Sequence, residues 1–152
     1  MKSVVLVSVI AVCVLAASVA TATGIAPIYL GNRALGGADL NTYTKGVAGG
    51  SGANNIGLLI KTFGKVTYVD TANQCFYVDD GSGRMDGTRR PDNSIVYGVR
   101  VSYGGLASGV PAINPPTQNT YAGVTGIIST VMVNSLVQPN VRPRRQEDIQ
   151  SL

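Results

Sequence analysis

IGLLIKTFGKVTYVDTANQCFYVDDGSG, residues 56–83, is the stretch on which the fold turns. Residues 56–70 are a long run of strand formers with alternating character, the period of a half-buried β-strand. Asp70-Thr71-Ala72-Asn73 is turn chemistry, and a second strand, 74–79, comes at once, so the two predict a hairpin. Side chains alternate across a strand. Ile60, Thr62, Gly64 and Val66 therefore share one face of the first strand, and Lys61, Phe63 and Lys65 share the other. In the second, Phe76 and Val78 oppose Cys75, Tyr77 and Asp79. An isolated glycine inside a strand marks a bulge or sharp bend, which places one at Gly64.

The end of the hairpin, Asp79-Asp80-Gly81-Ser82-Gly83, invites three readings: a catalytic acid pair, a calcium loop, or a turn. Asp79 and Asp80 fall on opposite sides of the strand and make a poor acid pair. A calcium loop needs oxygen ligands at its first, third and fifth positions and a later acid. DGSGRMDG puts Arg84 at the fifth position and Asp86 out of register. A turn needs an aspartate to accept backbone N–H groups and glycines free to take positive φ. The stretch reads as a structural turn.

Working outward, SIVYGVRVSY (94–103) and YAGVTGIISTV (121–131) predict two more strands. NVRPRRQEDI (140–149) predicts a fifth, confined to an edge or bulge by Pro143. GGLASGVPAINPPTQN (104–119) is Gly/Pro-rich loop, and no segment has convincing amphipathic helix periodicity. The class is all-β. Five strands in about 95 residues, the first long and bent, suggest a small five-stranded Greek-key barrel of the OB type over 56–152.

Taken together, LLIKTFGKVTYVD, FYVDDGSG, YGVRVSY, YAGVTGIIST and NVRPRRQEDI resemble the OB-fold nucleic-acid-binding superfamily. The shared features are G-x-V in strand one, D-G-S/T-G closing strand two, and V-x-G before the end of strand four. The chain also resembles uncharacterised OB modules of large secreted bacterial proteins, with a similar Gly-rich lead-in and an RPRRQEDI-like end. The resemblance implies the barrel across nearly the whole mature chain. It implies less about function, because OB barrels bind oligonucleotides, oligosaccharides or proteins.

Upstream, Met1-Lys2, the apolar run to Ala20 and the Ala20-Thr21-Ala22 site have the layout of a secretory signal peptide over 1–22. The run is short for a membrane span and has no basic stop-transfer cluster behind it, so no stable membrane insertion is expected after cleavage. The expected location is extracellular or cell-surface. Residues 23–55 are rich in Gly, Ala and Asn without sustained periodicity. They predict an extended Gly-rich arm, with GVAGGSGANN (46–55) as a hinge and IAPIYL (25–30) as the piece able to add as a strand.

The chain contains no histidine, which removes imidazole bases, Ser-His and Cys-His pairs and histidine-bound metals. Cys13 leaves with the signal, so Cys75 has no intramolecular partner and is expected to be buried in its strand. No cofactor, metal or catalytic residue is predicted. Eleven Lys/Arg against eight Asp/Glu after cleavage make the chain mildly basic, compatible with polyanions.

Lys61, Phe63 and Lys65, joined by Tyr77 and Arg100, would form a basic-aromatic face suited to single-stranded nucleic acid. Arg142, Arg144 and Arg145 add an arginine cluster matched to phosphate or carboxylate. The expected function is a secreted, non-catalytic OB module binding an anionic polymer, either single-stranded nucleic acid or acidic polysaccharide. The alternative is an extracellular assembly protein that self-associates through residues 23–55 and its barrel edges.

Overall fold

The computed structural model of the protein describes residues 24–152; residues 1–22, where a signal peptide is expected, lie outside them. The strands are β1 (Ile28–Tyr29), β2 (Leu59–Asp70), β3 (Cys75–Asp79), β4 (Val99–Ser102), β5 (Tyr121–Val133), β6 (Leu136–Arg142) and β7 (Ile149–Ser151). Two short 3-10 turns, Asn32–Ala34 and Gln146–Asp148, complete the regular structure among the described residues. The protein is all-β.

The β2–β3 hairpin forms as the alternation predicts, with Val66 opposite Val78 and Asp70 opposite Cys75. Asp70 closes its turn by accepting from the backbone N–H and the side-chain amide of Asn73, at 3.0 and 2.8 Å. The parity of β2 holds: Ile60, Thr62, Gly64 and Val66 are buried, while Phe63 and Lys65 are exposed and Lys61 half-buried.

The irregularity expected at Gly64 falls instead between Val66 and Tyr68, where the register shifts. Gly64 has a different task. It lies where β3 joins β2 on the edge opposite β5, so that Lys65 pairs with Tyr121 of β5 on one side and with Asp79 of β3 on the other. A Cβ on Gly64 would overlap the Asp79 carbonyl, so the close approach of the end of β3 requires a residue without a side chain.

The pairings continue β3–β4–β6–β5, and β5 returns to β2. β4–β6 is parallel. β1 adds to β2 in parallel, and β7 adds to β5 antiparallel. The core enclosed by these strands includes Ile60, Val66, Phe76, Val78, Val99, Val101, Val124, Ile128 and Val141.

Three element boundaries depart from expectation. The regular part of the third strand is Val99–Ser102 rather than 94–103, because Gly98 at φ +110° breaks it; Ile95 makes an isolated bridge to Arg89. The fifth strand is Leu136–Arg142, not 140–149. It is joined to β5 through Asn134-Ser135, both at positive φ, the two-residue turn that suits hairpin twist. Pro139 conceals this strand in the sequence, and it is tolerated because pairing to β4 begins only at Asn140. From Pro143 to Asp148 the chain leaves the sheet before rejoining it as β7, since Asp148 accepts from the Arg144 backbone N–H at 2.8 Å and from its guanidinium at 3.1 Å.

The predicted extended arm is also corrected. IAPIYL does add as a strand, Ile28 pairing with Ile60, but the residues after it fold back over their own sheet. Leu35 is fully buried in the core, and Asn32 donates to the Val78 carbonyl at 2.6 Å. The expected hinge is built in: the Gly36 N–H donates to the Asn55 side-chain oxygen at 2.8 Å, and the Ala48 N–H to the Val137 carbonyl at 2.7 Å. Gly37, at φ +67°, lies so close to Ala53 that a Cβ would overlap its carbonyl. Composition predicted flexibility, whereas these glycines serve close backbone packing.

Candidate ligand-binding face

The outward residues of β2, Lys61, Phe63 and Lys65, stand beside the outward residues of β5, which are Tyr121, Gly123 and Thr125. Register pairs Lys61 with Thr125, Phe63 with Gly123 and Lys65 with Tyr121. Phe63 and Tyr121 meet on the diagonal, their rings stacked with centroids 5.8 Å apart and planes 14° from parallel. Both rings are about half exposed, at 48% and 50%.

β1 and β7 extend this face on either side. Tyr29 pairs with Lys61, whose ammonium lies 5.9 Å from the Tyr29 ring centroid and donates to Gln150 Oε1 at 2.8 Å. Gln150 in turn pairs with Gly123.

Two hollows flank Phe63. A cavity of about 470 Å³ is lined by Tyr29, Lys61, Phe63, Asp80, Gly123 and Gln150 among others. A second, of about 260 Å³, lies among Phe63, Lys65, Asp79, Asp80 and Tyr121. Phe63 and Asp80 belong to both.

Asp80 is held in place by the turn it closes. It accepts from Ser82 N–H at 3.0 Å and from Asn32 N–H at 2.7 Å, while Asp79 accepts from Gly83 N–H at 3.1 Å. Partial burial pushes the Asp80 carboxyl upward, but these hydrogen bonds prevail and hold it below the usual carboxylate range. The turn reading of DDGSG stands, with Gly81 at φ +91° and Gly83 at +64°. Asp86 is committed elsewhere, to Tyr77 Oη at 3.0 Å and Thr88 N–H at 2.8 Å.

Lys61, Phe63 and Lys65 come together as expected. Tyr77 and Arg100 do not join them. Tyr77 points away from the Phe76–Val78 side as predicted, yet it is fully buried, because the loop from Arg84 to Gly98 covers that side of β3. Its hydroxyl bonds to Asp86 and, at 2.9 Å, to Thr88. Burial pushes the Tyr77 hydroxyl far above its ordinary pKa. No base can stack on it. Arg100 pairs with Tyr77 across β3–β4, half-buried on that other side. Cys75 is buried in its strand, and burial raises its thiol pKa.

The arginines of the C-terminal cluster are likewise committed. Arg142 donates to the Gly104 carbonyl at 3.1 Å, Arg144 clasps Asp148, and Arg145 lies within 4.0 Å of Glu147 and Asp148. In the covering loop, Arg84 reaches the carbonyls of Asn32, Arg33 and Leu35, and Arg90 donates to the Thr67 carbonyl at 2.9 Å.

Sequence reading missed Tyr29, Asp80, Tyr121, Gly123 and Gln150. Tyr121 and Gly123 were within reach, since β5 alternates like β2 and Ala122 and Val124 define its inward side. Tyr29 and Gln150 were not, because their positions depend on β1 and β7 docking across the sheet. Compared with protein-family models, with curated proteins and with solved structures, the chain matches none.

Proposed function

We propose that the protein is a secreted, non-catalytic OB-type module that binds an anionic polymer through the outer face of β1, β2, β5 and β7. The fold part of this reading rests on strand order. β2–β3–β4–β6–β5 closes on β2 through four antiparallel pairings and the parallel β4–β6 pairing, an order suited to a five-stranded Greek-key barrel. Secretion rests on the signal-like segment at 1–22.

One observation carries the binding role. Phe63 and Tyr121 form a half-exposed stacked pair with Lys61 on one side and Lys65 on the other. Exposed rings offer flat apolar surface to planar or ring-shaped units, and the ammonium groups supply charge for phosphate or carboxylate. Of the expected face the β2 residues remain, while the Arg84–Gly98 loop closes the part on β3 and β4, and β1, β5 and β7 supply its neighbours instead.

Titration at low salt with oligothymidylate and with polygalacturonate tests the reading. Binding of either polymer, weakened by Lys61→Ala combined with Lys65→Ala, is the expected result. If neither polymer binds, the face is ordinary solvated surface and the binding role fails. The assembly alternative draws less support, because IAPIYL already pairs with β2 of its own chain.

A further inference from the structure

The larger hollow beside Phe63 has a feature that the basic-aromatic pattern alone does not explain: its floor is a glycine. Gly123 faces outward between Phe63 on one strand and Gln150 on the other. A side chain there would fill the space that Tyr29, Lys61, Phe63 and Gln150 enclose. The strand does not require glycine at this position. A Cβ would meet Lys61 Cε at 3.5 Å and Gln150 Oε1 at 3.8 Å, ordinary contacts with movable side-chain ends. The bare floor serves the hollow rather than the sheet.

The polar groups around the hollow distinguish between polymers. Asp80 lines both hollows and Asp79 the second. Against Lys61 and Lys65 these two carboxylates leave the groove without net positive charge. Grooves for single-stranded nucleic acid depend on an excess of cations along the backbone. Among the described residues, no arginine lines either hollow to provide one. A hydroxyl-rich ligand makes the opposite demand. Its O–H groups donate to carboxylate and amide oxygens, its apolar ring faces lie on aromatic rings, and occasional carboxylates pair with ammonium groups.

We propose that the groove holds successive pyranose rings of a uronic-acid-containing polysaccharide, one over Gly123 and the next beyond Phe63. The assignment rests on the polymer-binding role proposed for this face and names its ligand class. Phe63 separates the two rings and supplies a stacking surface. Asp80 and Gln150 accept from sugar hydroxyls, and Lys61 and Lys65 pair with uronate carboxylates.

The test measures binding of partly methyl-esterified polygalacturonate, whose carboxylates are only occasional, of a neutral β-glucan and of oligothymidylate to the mature protein and to Gly123→Val and Phe63→Ala, with thermal unfolding of each variant. Polygalacturonate is expected to bind most tightly. Gly123→Val should weaken it at least about tenfold while leaving the unfolding temperature unchanged or raised, as a β-branched residue suits a strand. Phe63→Ala should weaken it comparably. Oligothymidylate binding without polygalacturonate binding would overturn the glycan assignment and leave polymer binding standing. Failure of all three ligands would remove both. Polygalacturonate binding unaffected by Gly123→Val and Phe63→Ala would place the glycan elsewhere and overturn the groove, and equal affinity for the neutral glucan would overturn the uronate contacts.

Discussion

Tyr77 shows how one side chain can obey the strand pattern and still defeat the inference drawn from it. Its parity is as the alternation requires, but its ring packs with Tyr68 and Val96 and its hydroxyl is buried against Asp86 and Thr88. Because its folded-state pKa lies above the ordinary value of 10.0, the unfolded chain releases this proton first as pH rises. The stabilisation is fully present below pH 10 and declines above it. Tyr77→Phe should therefore cost about 1–3 kcal/mol at neutral pH, through the lost hydrogen bond to Asp86, and should flatten the alkaline decline in a urea-denaturation series. An unchanged decline would assign it to other groups.

Asp148 behaves in the opposite sense. Burial pushes its carboxyl up, but the Arg144 guanidinium and backbone N–H outweigh this and lower it from the ordinary value of 3.8. Its contribution is present above that value and is lost as pH falls through the depressed pKa. Arg144→Ala should destabilise the protein at pH 7 more than in acid below the depressed pKa, where the carboxyl is protonated. Equal effects at both pH values would mean that the pair contributes no charge-dependent stability.

Among elements, the segment between β1 and β2 departs furthest from its composition. Its glycines, asparagines and short side chains imply a mobile lead-in, because little apolar area is available for burial. Leu35 supplies enough to anchor it, since it is fully buried among the residues of the sheet. Leu35→Ala is expected to destabilise the protein by about 2–5 kcal/mol, measured by chemical denaturation. A loss below about 1 kcal/mol, too small for a filled core site, would return the segment to the status of a detachable arm. At the other end, RPRRQEDI looked like a basic strand because its arginines stand in sequence without visible partners. Asp148 folds Arg144 back on itself, and the strand lies earlier, behind Pro139.

For the whole molecule, a formal net charge of +4 suggests a general affinity for polyanions, but distribution matters more than the total. Arg84, Arg90, Arg142, Arg144 and Arg145 are spent on carbonyls and carboxylates within the chain. Lys61 and Lys65 are the cations left beside the exposed rings. Neutralising a polyanion with these two releases few counterions. The slope of log affinity against log salt should then have a magnitude of about 1–2, measured by titration across salt concentrations. A slope of about 5 or more would bring the arginine clusters into the interface. Loss of the segment 24–55 should unfold the domain rather than alter its oligomeric state, and circular dichroism of the truncated protein checks this.

Alternation in residues 56–79, the turn at DDGSG and the absence of histidine are local properties, and the sequence by itself determined their consequences. They set an all-β class, the β2–β3 hairpin, the inward set from Ile60 to Val78, the outward trio Lys61, Phe63 and Lys65, and the lack of imidazole chemistry. Whether an outward residue meets solvent is a different kind of question, because it depends on which distant segment lies over it. The loop at 84–98 covers Tyr77, and β1 and β7 bring Tyr29 and Gln150 beside Phe63. Residues 30–55 close over the core through backbone contacts that require glycine. These outcomes involve partners far apart along the chain, for which neither periodicity nor composition carries a signal, and only the tertiary structure decided them.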